Sequence, residues 1–430
     1  MTNEPRGPDL VHLNFRLMIF RNPTIFSDIL FNQPVRMPSR AGKGAKGVVF
    51  WALLVGGLVG LAGCKPKAAE ESAPQEKPLE PVRLGVFFPL TGAQSSFGND
   101  AIRGAQLAVD EINAAGGIFD GRAVRLEMRD TRSQSETNKE LVEELAKDPQ
   151  IALLVGEIAS ARSIEAAAIA QSFGVPMISP ASTHQDVTAL GDMIFRVCYA
   201  EPFQGAAMAR FAGSIKASRA AIFLEEGNPY SQGLAASFRD HFVKGGGTIV
   251  AEQSFKAGDL AFIEQLEAIK AAKPEVVFLP SYYLEAALVI QQARGMGMEM
   301  PFLGGDGWDS SEFLRVGGSA VENCYSANHF SAQNELPENT AFISAYRAKF
   351  DEPPPPLAAL AYDAIRLGVD AISRAGSESR AAIQEALRTT TDFQGVTGLI
   401  RFGRNRNPDK PAVILRVENG AFTYLETIQP

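Results

Sequence analysis

The sequence is poor in the residue types that most often carry catalysis or bind metals. Its 430 residues include four histidines and three cysteines. We find no P-loop, no pair of histidines at metal-ligand spacing, no CxxC motif and no nucleophile elbow. These absences weigh against an enzyme and against a metal or cofactor site. A hydrolase stays open as an alternative, although it would need a nucleophile and a base that the sequence does not reveal.

The sequence also lacks an excess of basic residues. From Cys64 onward, 34 lysines and arginines stand against 46 aspartates and glutamates, a formal net charge of −12. Nucleic-acid-binding proteins carry basic patches that neutralise phosphates, and no basic run is present in this part of the chain. Nucleic acid is therefore excluded as a partner.

Long apolar runs are equally scarce, and the one that stands out is short. Residues 48–62 carry no charge and follow Arg40, Lys43 and Lys46. Fifteen residues of helix rise only about 22 Å, less than the roughly 30 Å hydrocarbon core of a membrane, so a permanent span is disfavoured. A basic segment followed by a short apolar segment and small residues predicts a secretory signal peptide.

The apolar run ends in Leu61-Ala62-Gly63-Cys64, which resembles the bacterial lipobox. In that motif the cysteine is lipidated and becomes the first residue of the mature protein. Lipid chains on Cys64 would hold the protein to a membrane surface by burying methylene groups. The predicted location is therefore that of an exported, membrane-anchored lipoprotein, in the periplasm or on the outer face of the cell membrane. The alternative is a short membrane anchor that carries an incidental cysteine.

The segments on either side of the signal peptide do not read as folded structure. Residues 1–36 precede a signal peptide that is complete from its own Met37, which indicates a start codon assigned too early or an unusual leader. Residues 65–81 have no aromatic and almost no large apolar residue, so they cannot bury enough surface to order themselves. We assign 1–63 to the leader and signal peptide, and 64–81 to the lipidated cysteine and a flexible tether.

From residue 82 onward, short apolar strands alternate with amphipathic helices. This pattern predicts an α/β fold, with two doubly wound parallel-sheet lobes joined by hinge crossovers. We expect lobe one to comprise 82–200 and 331–395, and lobe two to comprise 201–330 and 396–430. Cys198 and Cys324 fall in this part, and we favour two buried free thiols over a disulfide.

Polar groups follow four of the predicted strands. Ser160 comes after one strand, Ala181-Ser182-Thr183 after the next, Tyr282-Tyr283 after a third and Asp306 after a fourth. Ligands of open α/β sheets bind beyond the carboxyl ends of the strands. Hydroxyls beside free backbone N–H groups at helix starts suit a carboxylate, and an aspartate at the opposite strand end suits an ammonium.

Each of these residues also has a structural interpretation. Ser160 and Thr183 could be ordinary helix N-caps. Asp306, which precedes Gly307, could belong to a turn, and Tyr282 could be a half-buried aromatic with its hydroxyl in water. The coincidence at four strand ends favours a binding site for a small zwitterion.

Several stretches resemble the type I periplasmic binding proteins, specifically the leucine/isoleucine/valine-binding branch. They are LGVFFPLTGAQSSFGNDAIRGAQLAVDEINAAGGI, MISPASTHQDVT, IFRVCYAEPFQG and IKAAKPEVVFLPSYYLEAALVIQQARGMGM, and the resemblance covers about residues 82–430. It implies a non-enzymatic protein whose two lobes close on a solute. It also implies delivery of that solute to the permease subunits of an ABC transporter.

The resemblance carries a ligand site over to this chain residue by residue. It places the ligand carboxylate at Ser160, at Thr183 and at backbone groups of Ala181. It places the ammonium at Asp306, where branched-chain members more often have glutamate. Trp308 stands beside this shorter acid, and we expect it to contribute to the wall around the ligand side chain.

The resemblance also implies an aromatic lining for the ligand site. Phe97 takes the place of the aromatic in the first loop, and Tyr230 and Tyr282 take the places of the two tyrosines of the second lobe. The ligand that fits is a free amino acid with a small or medium, largely apolar side chain.

Two other functions use the same residues. A sensor or receptor subunit could have the same cleft and signal instead of serving a transporter. A metal-binding lipoprotein could use Asp306 and Asp309, although two carboxylates in DGWDS are more typical of a solvated turn than of a calcium site with six or more oxygens.

We predict that the mature protein begins at a lipidated Cys64. The intact mass of protein extracted from membranes should show acylation of this residue and loss of everything before it. Cys64→Ser should abolish the lipid and leave ligand binding by the soluble part intact. An unmodified Cys64, or a free N-terminus upstream of it, would contradict the prediction.

Overall fold

The first group of strands forms a five-stranded sheet in which all neighbours are parallel. Its strands are β1 (Val82–Phe88), β2 (Val124–Asp130), β3 (Ile151–Gly156), β4 (Met177–Ser179) and β5 (Ile194–Arg196), in the order β2-β1-β3-β4-β5. The central strand β3 is buried along its whole length. Continuous burial is typical of a parallel strand that is covered by helices on both faces.

The structure is a computed structural model that describes residues 79–333 and 337–430. The predicted signal peptide, Cys64 and the tether up to residue 78 lie outside the described residues. Within the described part, no helix combines the length and the apolar character that crossing a bilayer would require.

The second group of strands forms a seven-stranded mixed sheet. Its strands are β6 (Arg219–Glu225), β7 (Thr248–Phe255), β8 (Val276–Phe278), β9 (Phe302–Gly304), β10 (Tyr325–Asn328), β13 (Ala412–Glu418) and β14 (Ala421–Ile428), in the order β14-β13-β10-β9-β8-β6-β7. Strands β6 to β10 are parallel, whereas β13 and β14 are antiparallel additions at one edge. A separate hairpin pairs β11 (Phe393–Gly395) with β12 (Gly398–Ile400).

The antiparallel edge was not predicted from the sequence, although its turn has a clear signal. Asn419 and Gly420 join β13 to β14 and both have positive φ, at 54° and 72°. A two-residue Asn-Gly turn of this kind matches the twist of a β-hairpin. The residues before and after it would then pair as neighbouring antiparallel strands, as they do here.

Helices cover both sheets. They are α1 (Ser95–Ala114), α2 (Ser135–Lys147), α3 (Ser160–Ser172), α4 (Asp186–Ala189), α5 (Glu201–Ser214), α6 (Pro229–Lys244), α7 (Ile263–Ala271), α8 (Tyr283–Gly295), α9 (Ser311–Gly317), α10 (Pro337–Phe350), α11 (Pro356–Ala375) and α12 (Arg380–Arg388). Two short 3₁₀ helices, Asp306–Trp308 and Gly318–Val321, flank α9.

The chain returns to the first sheet after it has built most of the second. The guanidinium of Arg380 in α12 donates to the carbonyls of Ala146, Asp148 and Ile151. Gly368 in α11 approaches Leu153 of β3 so closely that a Cβ would lie 2.3 Å from its side chain. The two lobes are therefore each built from separate segments of the chain. The crossing points near residues 200, 330 and 395 stay a prediction.

The parallel strands of the two sheets share one topology. The order β7-β6-β8-β9-β10 repeats β2-β1-β3-β4-β5, with the first strand of each series second in space. Such an order has a switch point between the first and third strands, and loops there open a crevice at the carboxyl ends.

Cys198 and Cys324 lie buried as free thiols, which confirms the prediction for this pair.

Helices α1 and α11 touch at a glycine, which generates a stability prediction. A Cβ at Gly104 would lie 1.9 Å from the carbonyl oxygen of Ala358, so Gly104→Ala must push the helices apart. We expect the free energy of unfolding to fall by about 1–3 kcal/mol, as for other overpacked sites. Chemical denaturation of both proteins measures the difference.

The matched control is Gly213→Ala in α5, where a Cβ would meet nothing within 4 Å. Alanine is the better helix former, so this variant should be as stable as the parent or slightly more stable. Equal stability of the two variants would contradict the close approach of α1 and α11.

Candidate ligand-binding site

The carboxyl ends of the two sheets enclose a small cavity. It has a volume of about 20 Å³, roughly what one water molecule needs. Its lining residues are Phe97, Ile158, Ser160, Ala181, Tyr230, Tyr282, Asp306, Gly307 and Leu357. The structure thus brings six of the eight residues expected at the ligand to one place, whereas Thr183 and Trp308 do not line the cavity.

Ser160 and Ala181 form one end of the cavity. Ser160 is the first residue of α3, and its Oγ accepts the backbone N–H of His184 at 3.3 Å. The N-cap position belongs to Ala159, so Ser160 is not a capping residue. The hydroxyl of Ser182 lies 2.6 Å from that of Ser163 in α3 and donates to the carbonyl of Ile158. These bonds hold the loop with Ala181 against the start of α3.

A buried ion pair fixes the loop that leads from β3 into α3. Glu157 is completely buried and accepts the backbone N–H groups of Ile158 and Ala159. Its other carboxylate oxygen accepts from the hydroxyl of Thr131 and from Nε of Arg162, both at 2.8 Å. A buried pair is tolerated when its remaining bonds are satisfied in this way. The loop, and with it Ser160, therefore has one well-defined conformation.

Thr183 corrects one expectation from the sequence, because it does not stand at a helix start. Helix α4 begins only at Asp186, whose N–H is bound by Nδ1 of His184. The hydroxyl of Thr183 instead faces Glu201, with 3.4 Å between Oγ1 and Oε1. Glu201 in turn donates its N–H to the carbonyl of Thr183 at 3.0 Å.

Aromatic rings form the middle of the cavity. Tyr230 and Tyr282 are stacked, with ring centroids 5.1 Å apart and an angle of 13°. Phe97 meets Tyr282 edge to face at 5.9 Å and Tyr283 at 4.8 Å. Because Phe97 follows β1 and the tyrosines follow strands of the second sheet, these ring contacts join the two lobes.

Two hydrogen bonds reinforce the contact between the lobes. The hydroxyl of Tyr283 donates to the carbonyl of Ala93 at 2.7 Å. The hydroxyls of Ser96 and Ser310 lie 2.8 Å apart. Together with the aromatic rings they bring the loop after β1 against the second lobe.

Asp306 forms the other end of the cavity. Its Oδ1 accepts from Nε2 of Gln204 at 2.8 Å and from the hydroxyl of Tyr230 at 3.0 Å. Its Oδ2 lies 3.1 Å from Nε2 of His329. The Tyr230 oxygen accepts the N–H of Gly307 at 2.9 Å, which fixes the tyrosine as a donor to Asp306. The carboxylate is thus held by three side chains.

The donors to Asp306 are neutral. Burial lowers the pKa of His329, although the hydrogen bond to Asp306 raises it in part, so this imidazole is uncharged at neutral pH. Across residues 79–333 and 337–430, His329 is the one basic side chain with a nitrogen within 4.0 Å of the Asp306 carboxylate. The negative charge of Asp306 therefore has no cationic partner in the described protein.

Two further carboxyl groups are affected by the charge of Asp306. Burial, with the charge of Asp306 among the lesser causes, raises the pKa of Glu201 and of Asp309 well above the usual range. Both are nearly inaccessible to solvent. Burial is the largest cause of both shifts, and the charge of Asp306 adds to them.

The structure adds site residues that the sequence did not reveal and removes one that it suggested. Ile158 and Leu357 supply apolar walls, while Gln204 and His329 support Asp306. Trp308 is completely buried and stacks on Phe313 in the second lobe, 4.9 Å between ring centroids, so it does not line the cavity. No group of three or more His, Cys, Asp or Glu in the described ranges could hold a metal ion.

Comparison with known proteins agrees with the two-lobe geometry. A family model described as periplasmic binding protein matches residues 81–421. The chain belongs to the periplasmic binding protein family. The Leu/Ile/Val-binding protein homolog 3 of Brucella melitensis biotype 1 is 29% identical over 349 residues, which cover 80% of this chain and 94% of that protein.

Two solved structures show the same fold. The leucine binding protein LivK of Thermotoga maritima superposes with a TM-score of 0.78 at 35% identity, covering 81% of this chain and 99% of that one. LivJ of Streptococcus pneumoniae, determined in complex with isoleucine, gives a TM-score of 0.77 at 34% identity, covering 82% and 100%. The type I periplasmic binding protein fold predicted from the sequence is thereby confirmed.

The buried ion pair beneath Ser160 predicts a large loss of stability when it is broken. Glu157→Gln leaves the guanidinium of Arg162 buried without its charged partner, so we expect the free energy of unfolding to fall by about 3–5 kcal/mol. Urea denaturation followed by circular dichroism measures the change.

The control is Glu136→Gln, which removes a carboxylate that is 83% exposed and pairs with Lys139 on the surface of α2. Surface pairs contribute about 0–1 kcal/mol, so this variant should resemble the parent. If Glu157→Gln lowers the free energy of unfolding no more than Glu136→Gln does, the pair of Glu157 and Arg162 does not organise the loop.

Proposed function

We propose that the protein captures a free α-amino acid in the cavity between its lobes. The observation that carries the proposal is the Asp306 carboxylate, which is only 11% exposed, is bound by neutral donors and faces the cavity. A buried charge without a partner is costly, and an incoming ammonium would remove that cost. Asp306 is also the one charged residue among the described residues that line this cavity.

The opposite end of the cavity suits the carboxylate of the same ligand. Ser160 offers a hydroxyl at the start of α3, a helix of 13 residues whose N-terminus favours an anion. Ala181 adds backbone groups. Thr183 lies two residues further along the chain, and its hydroxyl would join the site if the side chain turned away from Glu201. In this arrangement the ligand carboxylate lies at the first lobe and its ammonium lies at the second.

The walls between these two ends suit an apolar side chain. Phe97, Ile158, Tyr282 and Leu357 surround the cavity with aromatic and aliphatic groups. The guanidinium of Arg162 in α3 is bound by Glu157 and Gln94. One relative is named a Leu/Ile/Val-binding protein homolog, and one solved structure of the same fold holds isoleucine. We infer a branched-chain amino acid or one of similar size as the ligand.

Binding requires the lobes to move. A cavity of about 20 Å³ is far too small for an amino acid, so the lobes separate to admit the ligand and close around it. Only apposed lobes bring Ser160 and Asp306 to the same molecule, which gives the ligand its preference for that state. Several charge-assisted hydrogen bonds of about 1.5–3 kcal/mol each are enough for the roughly −8 kcal/mol of a micromolar complex.

The proposal extends to transport. Capture outside the cytoplasm is useful when the solute is handed to a membrane protein, and we propose the permease subunits of an ABC transporter as the recipient. The lipobox-like Leu61-Ala62-Gly63-Cys64 supports attachment of the binding protein to the same membrane. No catalytic step is part of this proposal.

Removal of the Asp306 charge tests the proposed binding site. Asp306→Asn keeps the shape of the side chain and removes the partner of the ammonium, so we expect a loss of about 2–5 kcal/mol in the free energy of binding. Calorimetry with L-leucine, L-isoleucine and L-valine on the parent and the variant measures it. Asp186→Asn is the control, since that carboxylate is 60% exposed at the start of α4.

A panel of ligands separates the two ends of the site. The parent should be stabilised by free amino acids, with about 2.7 kcal/mol at a hundredfold excess over Kd. 4-Methylpentanoate lacks the amine of leucine and leucinamide lacks its carboxylate, so both should bind far more weakly. Stabilisation by 4-methylpentanoate or by a sugar, and not by any amino acid, would overturn the assignment of a zwitterion.

A further inference from the structure

We propose that His329 is a positioning residue that holds the Asp306 carboxylate in its ligand-binding orientation without cancelling its charge. The inference rests on the proposed function, because it concerns the group that would bind the ligand ammonium. His329 follows β10, and Asp306 follows the neighbouring parallel strand β9. The two side chains therefore leave adjacent strand ends and meet at 3.1 Å.

The division of hydrogen bonds shows why His329 matters for orientation. Gln204 and Tyr230 both bind Oδ1 of Asp306, whereas His329 binds Oδ2. Gln204 and Tyr230 hold Oδ1 in place but give no hydrogen bond to Oδ2. The imidazole N–H supplies the bond to Oδ2, so both oxygens are held and rotation about the Cβ–Cγ bond is restricted further.

The imidazole is itself held rigidly. It lies against the ring of Tyr199, with centroids 3.8 Å apart and an angle of 34°, and its side chain is 1% exposed. The backbone N–H of His329 donates to Oδ1 of Asn328 at 2.7 Å. Such a ring has little room to turn, so its Nε2 stays directed at Asp306.

The surroundings of the other ring nitrogen, Nδ1, determine the protonation state of His329. Nδ1 of His329 is buried and has no hydrogen-bond partner among the described residues. A proton there would be a charge without an acceptor, so the neutral tautomer with hydrogen on Nε2 is favoured. The titratable groups that face the ring are Asp306, Tyr199 and, at longer range, Lys410. Lysine or arginine in this place would neutralise Asp306, whereas neutral histidine leaves its charge to the ligand.

A dependence of ligand affinity on pH follows. Burial lowers the pKa of His329, so the imidazole gains its proton at a more acidic pH than an exposed histidine does. The protonated ring would compete with the ligand ammonium for Asp306. Affinity should therefore be full at neutral pH and should fall on the acid side, where His329 titrates.

Two substitutions separate the roles of the hydrogen bond and the titration. His329→Gln keeps a side-chain N–H donor and cannot titrate, whereas His329→Leu keeps bulk and loses the donor. With L-leucine as the probe at pH 7.5, we expect His329→Leu to bind about tenfold or more weakly, as for a lost bond to a charged group. His329→Gln should bind close to the parent and should lose less affinity than the parent between pH 7.5 and pH 5.

Imidazole nitrogen NMR of the full chain supplies a test that needs no ligand. The signal that disappears in His329→Gln should show a proton on Nε2 and none on Nδ1. Because Asp306 raises the pKa of His329, Asp306→Asn should lower that pKa further. Both results would support the positioning contact, even in a protein that failed to bind any amino acid and so refuted the proposed function.

Opposite outcomes would overturn the inference. If His329→Leu binds L-leucine as tightly as the parent does, while Asp306→Asn binds it weakly, then Asp306 needs no support from His329. A proton on Nδ1, or a pKa of His329 unchanged by Asp306→Asn, would show that the contact does not exist in solution. If His329→Leu proved unfolded by circular dichroism, the NMR result and the pH profile of His329→Gln would decide.

Discussion

The proposed site depends on a half-buried carboxylate that is bound by neutral hydrogen-bond donors. Asp306 is bound by Gln204, Tyr230 and His329, none of which supplies a positive charge at neutral pH. Hydrogen bonds lower the cost of burying such a charge but do not remove it. The remaining cost is what an ammonium group can relieve, and it orients a zwitterion with its cationic end at the second lobe.

The fold explains how the two ends of the site come to face each other. Both sheets have the same order of parallel strands, so each opens its carboxyl edge at a switch point. The first sheet presents Ser160 at a helix N-terminus, and the second presents Asp306 as the first residue of a 3₁₀ helix. Because the ends belong to different lobes, the site is complete only when the lobes meet. In the proposed function, ligand binding and lobe closure are then one event.

Much of this arrangement was predictable from the sequence, because strand ends are easy to locate. Short buried strands such as IALLVG are recognisable by their apolar runs, and the residues that follow them must lie at one edge of a parallel sheet. Ser160 and Asp306 were found in this way. The roles given to them came from the family resemblance and the strand-end argument together.

Other features depend on tertiary contacts that no local pattern reveals. His329 and Gln204 are polar residues in apolar surroundings, and only the packing of β10 and α5 beside β9 brings them to Asp306. Trp308 could face either side of its short helix, and its stacking on Phe313 turns it away from the cavity. The start of α4 was misplaced because the imidazole of His184 binds the N–H of Asp186. The Asn419-Gly420 turn, by contrast, was a readable hairpin signal.

The most direct test of the central claim is a crystal structure of the protein with the amino acid that binds it most tightly. The account predicts the ligand ammonium within about 3.2 Å of a carboxylate oxygen of Asp306, with Gln204, Tyr230 and His329 still bound to that carboxylate. It predicts the ligand carboxylate at Ser160 and the start of α3. An ammonium that contacts Glu201 or main-chain carbonyls and leaves Asp306 more than 4 Å away would contradict it.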